Sequence, residues 1–176
     1  MAFFPSENVP DRTVKNPADS SKIVSEETPD LSTKIKYEDV NVFFIAHNSN
    51  GEEVYRAVKR EYIPEYGPKL KFAVKSLING PSDKEKKLGV YSEIPSGTRL
   101  ISITESPSRV VINLTSDFEN GGGTDSLYKR LFQLIKTVKV NSNLPLYLQL
   151  DGKQVDVIGG EGIMINQPLS EDFINE

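Results

Sequence analysis

The sequence predicts an α+β fold: a mainly antiparallel or mixed sheet carrying two helices on one face. Two stretches alone repeat apolar residues at helical spacing, whereas several short runs alternate apolar and polar residues between turn signals. The resulting order, β-β-α-β-β-α-β-β, has too few helices, too far apart, to cover both faces of a parallel sheet. A length of 176 residues fits one domain.

Residues 1–36 read as a disordered tether. They hold Pro5, Pro10, Pro17 and Pro29 among scattered polar groups, and all 12 glycines of the chain fall at or after Gly51. Such a segment has too little apolar surface to offset its ordering entropy. A single domain is expected over 37–176. It opens with the β-rich run Val40–Ala46, an Asn50-Gly51 turn signal and Val54–Val58, a hairpin with a long loop. Pro68 suits a first helical turn, after which Leu70, Ala73, Val74, Leu77 and Ile78 share one face until Asn79-Gly80-Pro81 ends the helix. Lys69, Lys71 and Lys75 should face water. A short helical turn is expected at Asp83–Lys87. Thr98–Thr104, with Ile101 and Ile103 on one face, and Arg109–Thr115, with Val110, Ile112 and Leu114 on one face, form the clearest hairpin. In the second helix, from Asp125 to about Val138, Leu127, Leu131, Leu134, Ile135 and Val138 make the core stripe, and Lys129, Arg130 and Lys136 take the opposite side. Leu144, Leu146, Leu148 and Leu150 alternate, and Asp151-Gly152 turns the chain into Lys153–Ile158 as a last hairpin.

Composition excludes several classes. Lys and Arg total 21 against 25 Asp and Glu, a formal charge of -4, so nucleic acid is not an expected partner. With no cysteine there is no disulfide framework, thiol nucleophile or thiolate metal site. No apolar run approaches the roughly 20 residues of a membrane helix. Met1-Ala2-Phe3-Phe4-Pro5 lacks the basic start and apolar core of a signal peptide, so the chain is expected to be soluble.

Each chemical motif has a plain structural use. Gly121-Gly122-Gly123-Thr124 opens a helix, where backbone N–H groups attract anions, but a Walker loop needs a lysine before its Thr, and a dinucleotide fingerprint needs spaced glycines in a βαβ unit. The motif reads as a turn whose Thr124 caps the helix. Asp117, Glu119, Asp125 and Glu161 match no calcium-loop spacing. His47, the only histidine, lies in a polar turn without a nucleophile elbow or HExxH-type pattern. Gly159-Gly160-Glu161-Gly162 reads as a bulge or sharp turn. Lys84, Lys86 and Lys87 read as a solvated basic turn, and Asn113-Leu114-Thr115 sits inside a strand, which argues against glycosylation. No enzyme, cofactor or metal is implied.

In their order and separations, Gly89–Thr98, Asp117–Thr124, Leu148–Lys153 and Gly159–Gly162 resemble the GerM domain, known from sporulation and germination proteins and other bacterial envelope proteins. The resemblance runs from about Val40 to Phe173. It implies similarity to the ring-building motif, a small αββαβ unit, and a non-catalytic extracytoplasmic module acting through protein–protein contacts. The implied partner is an envelope protein, the implied attachment a membrane anchor outside this sequence, and the isolated domain is expected as a monomer or weak oligomer. Gly121, Gly122, Gly123, Thr124, Gly160, Glu161 and Gly162 are its candidate interaction or ligand loops. A small-molecule or glycan-binding module of a cell-surface lipoprotein is the alternative, using both glycine turns with Tyr128 or Tyr147 as a pocket wall. Limited proteolysis should trim the chain to a resistant fragment starting near Val40, and deletion of 1–36 should leave thermal melting nearly unchanged. A resistant fragment that retains Asn8 to Pro29 is the contrary result.

Overall fold

A computed structural model describes residues 37–174, so the expected tether over 1–36 lies outside the described residues. β1 (Glu38–His47) and β2 (Glu53–Tyr62) form an antiparallel hairpin, ten residues a side, turning through Asn48–Glu52. α1 (Lys69–Asn79) and the short α2 (Asp83–Lys87) follow, then β3 (Leu100–Glu105), β4 (Val110–Leu114) and the long α3 (Gly123–Asn141). β5 (Leu146–Leu150), β6 (Lys153–Gln154), β7 (Val157–Ile158) and β8 (Ile163–Met164) complete the order. The class is α+β, and, with the short α2 set aside as part of the connection, α1-β3-β4-α3-β5 follows an αββαβ order.

The main sheet has the order β3-β4-β5-β6 and is mixed. β3 and β4 are antiparallel, whereas β4 and β5 are parallel, a pairing that needs a crossover, and α3 supplies it. The register sets Val110, Ile112 and Leu114 beside Leu146, Leu148 and Leu150, so six buried side chains share one face. They join one core with Leu70, Ala73, Val74 and Leu77 of α1 and Leu131, Leu134, Ile135 and Val138 of α3. A helix of 19 residues is about 28 Å long, well beyond the roughly 17 Å of a five-residue strand. α3 therefore overhangs the sheet and also packs on β1, whose Val40, Val42 and Phe44 close the core.

Several elements sit where the periodicity puts them. Asp83–Lys87 is helical behind a capping box, in which the Ser82 side chain accepts from the Glu85 N–H and the Glu85 carboxylate accepts from the Ser82 N–H. Asp151 (φ 48) and Gly152 (φ 81) take the left-handed pair of a two-residue hairpin turn. Other details differ. A register shift between Leu100 and Ser102 turns Ile101 outward, to 50% exposure, in place of sharing a face with Ile103. The last hairpin is also shorter than its pattern. The Gln167 side chain enters beside β5, accepting from the Leu148 N–H (2.7 Å) and donating to the carbonyls of Leu148 (2.9 Å) and Val155 (2.6 Å). β6 stops at Gln154, and Val157–Met164 folds into its own ribbon.

The largest difference lies on α3. Arg130, expected to face water, is 2% exposed, and Gln133 and Thr137 are fully buried. Gln133 Nε2 donates to the Phe43 carbonyl (3.2 Å), Thr137 Oγ1 accepts from the Phe43 N–H (3.0 Å), and Asn141 Nδ2 donates to the Asn41 carbonyl (2.8 Å). Lys129 is ion-paired to Glu53 (2.6 Å) and Asp125 (2.7 Å), and Lys136 to Glu171 (3.2 Å), with its ammonium 5.3 Å from the Tyr55 ring centre. Leu134 and Leu148 are both buried in the shared core, so replacing either by Ala should cost about 2–5 kcal/mol in chemical denaturation. A loss below about 0.5 kcal/mol, typical of surface sites, is the contrary outcome.

Candidate functional site

The candidate site is a cleft where the two glycine-rich turns meet. Gly121, Gly122 and Gly123 have φ of 71°, 85° and 69°, three successive left-handed residues that side chains would strain. A Cβ on Gly122 would stand 2.4 Å from Ser126 Oγ and 2.9 Å from Arg130 Nη2. That closeness arises because Arg130 holds the turn from behind. Its Nη1 donates to the carbonyls of Phe118 (2.7 Å) and Asn120 (3.1 Å), and its Nη2 to Gly121 O (2.8 Å) and Ser126 Oγ (2.9 Å). Ser126 Oγ donates in turn to Glu93 (2.6 Å), which links the carboxylate to the guanidinium. Burial pushes the Arg130 pKa down, and the Glu93 charge opposes that shift.

Gly159–Gly162 forms the facing wall. Its Gly162 N–H donates to Gly159 O (3.1 Å), and the Gly159 N–H donates to the Glu119 carboxylate (3.0 Å), tying this turn to the segment before α3. A Cβ on Gly159 would lie 2.7 Å from Leu127 Cδ2, and the left-handed φ of 78° there favours glycine. Between the walls lies a cleft of about 220 Å³ lined by Glu119, Gly121, Gly123, Thr124 and Leu127 on one side and Gly159, Gly160, Glu161 and Ile163 on the other.

Of the residues singled out from the sequence, the cleft thus gathers Gly121, Gly123, Thr124, Gly160 and Glu161. Thr124 is not the helix cap: α3 starts at Gly123, and its cap is Gly122, without a side-chain bond. Neither Tyr128 nor Tyr147 lines this cleft. Tyr147 stands on the outer sheet face under the Arg109 guanidinium, 5.6 Å from the ring centre. Asp125 is held by Lys129, and His47 stacks on Tyr91 with ring centres 6.1 Å apart. Asn113 is buried and accepts from the Gly152 N–H (2.9 Å), which fixes a turn. Among the described residues no group of three or more His, Asp or Glu is placed to hold a metal ion.

Arg130 was the functional support that periodicity missed. It lies three residues after Leu127 and four before Leu134, on the apolar stripe itself, and that position is the signal that could have marked it as buried.

The shifted titratable groups lie in ties between elements, and burial pushes Tyr55 of β2, whose ring packs on Phe132 of α3, up to about 12. The Lys129 ammonium, and then the Tyr91 hydroxyl, hold the Glu53 carboxyl below the ordinary 4.5. Burial first, and Glu53 second, push Tyr91 up to about 12. The carboxylates of Asp125 and then Glu53 raise Lys129. Arg60 grips Glu85 with two bonds, at 2.6 and 2.7 Å, and keeps that carboxyl below its ordinary 4.5.

Residues 41–156 match the model of the Germane family, described as sporulation and spore germination. The chain belongs to that family. The Germane match ends before Gly159, so one wall of the cleft falls outside the matched segment. Among solved structures, the first GerMN domain of the sporulation protein GerM from Bacillus subtilis is similar at TM-score 0.57 and 15% identity, over 77% of this chain and 98% of that one. The tandem GerMN domains of the same protein give TM-score 0.54 and 16% identity over 72% of this chain, which spans only 43% of theirs. A candidate lipoprotein from Clostridium perfringens gives TM-score 0.52 and 20% identity over 80% of this chain and 93% of that one. At these identities the likeness is one of fold. No curated protein matches the chain in sequence.

Arg130→Met should leave the carbonyls behind the glycine turn unpaired and cost at least about 2 kcal/mol in denaturant melts. Gly122→Ala should destabilise in the same way, since a Cβ there combines a clash with a left-handed φ. Acid gives a separate check. Glu85 stays ionised to lower pH in the folded than in the unfolded chain, so its contribution is present above about pH 4.5 and is lost as pH falls through the lowered value. The Glu85→Gln variant should therefore lose stability less steeply as pH falls below about 4.5.

Proposed function

We propose that the chain is a non-catalytic extracytoplasmic module that works through protein–protein contacts at a bacterial envelope, in sporulation, germination or assembly of an envelope complex. Germane membership supports the setting, and the fold shared with a sporulation protein and a candidate lipoprotein supports membrane attachment through an anchor. One observation carries the non-catalytic reading. The groups with shifted titration are each held in a contact that joins two elements: Glu53, Tyr91 and Lys129 join the first hairpin to α3, Tyr55 of β2 packs its ring on Phe132 and Lys136 of α3, Glu85 joins α2 to β2, and Arg130 joins α3 to the glycine turn. Glu53, Tyr55 and Lys129 also border a small cavity of about 110 Å³, but their shifts arise from burial and from their ties to neighbouring charges, as a structural ion-pair network produces them. No helix of the described residues is long and apolar enough to cross a membrane.

A second reading, ligand binding, is favoured by the cleft itself, whose glycine walls let a small molecule approach backbone N–H groups over an apolar lining of Leu127 and Ile163.

Photo-crosslinkers at Lys84 and Lys153, both exposed, should capture a defined envelope protein in cells that express the full-length protein. Capture of nothing, together with micromolar binding of a soluble sugar or peptide, exchanges the contact reading for the ligand reading. The ligand reading has its own control: a Cβ at Gly160 meets nothing within 4 Å, so Gly160→Leu should fold and fill the cleft, abolishing such binding.

A further inference from the structure

The first hairpin has one closed edge and one open edge. The Asn48 N–H donates to Glu52 O (2.9 Å), which makes that pair hydrogen-bonded, and the register runs without a shift from His47↔Glu53 to Glu38↔Tyr62. Bonded pairs then alternate, so even-numbered residues of each strand bond across the hairpin and odd-numbered ones turn their N–H and C=O outward. Over the middle of β1 these outward groups find partners. Asn41 O, Phe43 N and Phe43 O bond to α3 side chains, and Ile45 exchanges two 2.9 Å bonds with Tyr91. On β2 the outward residues are Glu53, Tyr55, Ala57, Lys59 and Glu61, and among the described residues only Lys59 O has a partner there, Arg60 Nη1 at 3.2 Å. The strand contains no proline and its pairing no bulge, two of the usual means of blunting an edge.

Charge decides what fits. Arg60 is held by Glu85, and Lys59 pairs with Asp39 (3.0 Å), but Arg56 meets no carboxylate among the described residues, and its hydrogen bond to His47 O is long at 3.5 Å. A second copy fits poorly in the registers that pair the greatest length of the strand. Antiparallel self-pairing must set odd residues opposite odd ones. The register that matches Glu53 with Lys59 sets Arg56 against Arg56, and the register centred on Ala57 sets Glu53 against Glu61. Like charges directly opposite destabilise a pair, most where side chains are closest.

We propose that the outer edge of β2 takes an extended segment of a partner protein as an added antiparallel strand, with a carboxylate opposite Arg56. The proposal rests on the contact reading and specifies where the contact is made. Main-chain bonds to Tyr55, Ala57 and Lys59 hold the strand, and the carboxylate opposite Arg56 sets its register.

The test is amide NMR of the full chain titrated to millimolar concentration with blocked heptapeptides of alternating threonine and valine, carrying a central glutamate or a central lysine. The glutamate peptide should shift the Tyr55, Ala57 and Lys59 amides and slow their exchange, and the lysine peptide should bind about fivefold more weakly, the scale of one cross-strand charge pair. Arg56→Glu should reverse that preference. Ala57→Pro, which removes an outward N–H that β1 does not use, should abolish the shifts. Amides that stay silent, that are already protected in the free chain, or that respond equally to both peptides whatever the charge at position 56 overturn the proposal. Crosslinks from Lys84 or Lys153 that capture an envelope protein while these amides stay silent dismiss the β2 edge and leave the contact reading standing.

Discussion

The structure depends on α3 satisfying backbone groups that no strand reaches. Strand edges and tight loops leave N–H and C=O groups that must be paired when buried, or the fold loses the desolvation cost of each. Here one helix answers two such demands. Gln133, Thr137 and Asn141, spaced by four and therefore in one row, stand where a third strand would lie beside β1. One turn nearer the N-terminus, Arg130 gathers three carbonyls of the glycine-rich segment. The apolar row of Leu131, Leu134, Ile135 and Val138 meanwhile packs in the core, so α3 is buried around much of its circumference while carrying many polar side chains. Gln167 plays the same part for β5, its amide bonding to both backbone groups of Leu148.

The glycine turn and its cleft follow from this arrangement. Three left-handed residues in a row bring the carbonyls of Phe118, Asn120 and Gly121 to one guanidinium, and the compactness of that cluster leaves no room for a side chain at Gly122. With the turn fixed, Glu119 is free to bond the Gly159 N–H, and that bond brings the second glycine turn over Leu127. The cleft is thus built around backbone, with Glu119 committed to its frame and Glu161 at its wall.

Much of this architecture was legible in residue order. The stripes of α1 and α3, the leucine alternation of β5, the turns at Asn50-Gly51 and Asp151-Gly152 and the capped turn at Asp83–Lys87 are local patterns, and local physics forms them. Both glycine turns were marked, and the ligand alternative put them at one pocket, though with a tyrosine wall where Leu127 and Ile163 stand. What stayed hidden was nonlocal. A polar residue on a helix reads as solvent-facing until the backbone that needs its hydrogen bond is known, and that holds for Arg130, Gln133, Thr137 and Asn141 alike. Parallel pairing of β4 with β5 leaves the same alternation as antiparallel pairing, and the bulge that expels Ile101 has no glycine or proline to announce it.

The row of α3 side chains along β1 also bears on how such a chain can change length in evolution. One residue inserted near the middle of α3 would turn everything beyond it by about 100°. Thr137 and Asn141 would swing away from β1 while Arg130 kept its hold on the glycine turn, so the two ends of the helix would demand incompatible rotations. An insertion at the exposed tip, Gly160 to Gly162, meets no such conflict, since Gly159 would keep its bond to Glu119 and only the short ribbon would have to grow. Natural variants should therefore preserve the number of residues from Arg130 to Asn141 more strictly than the identity of most residues between them.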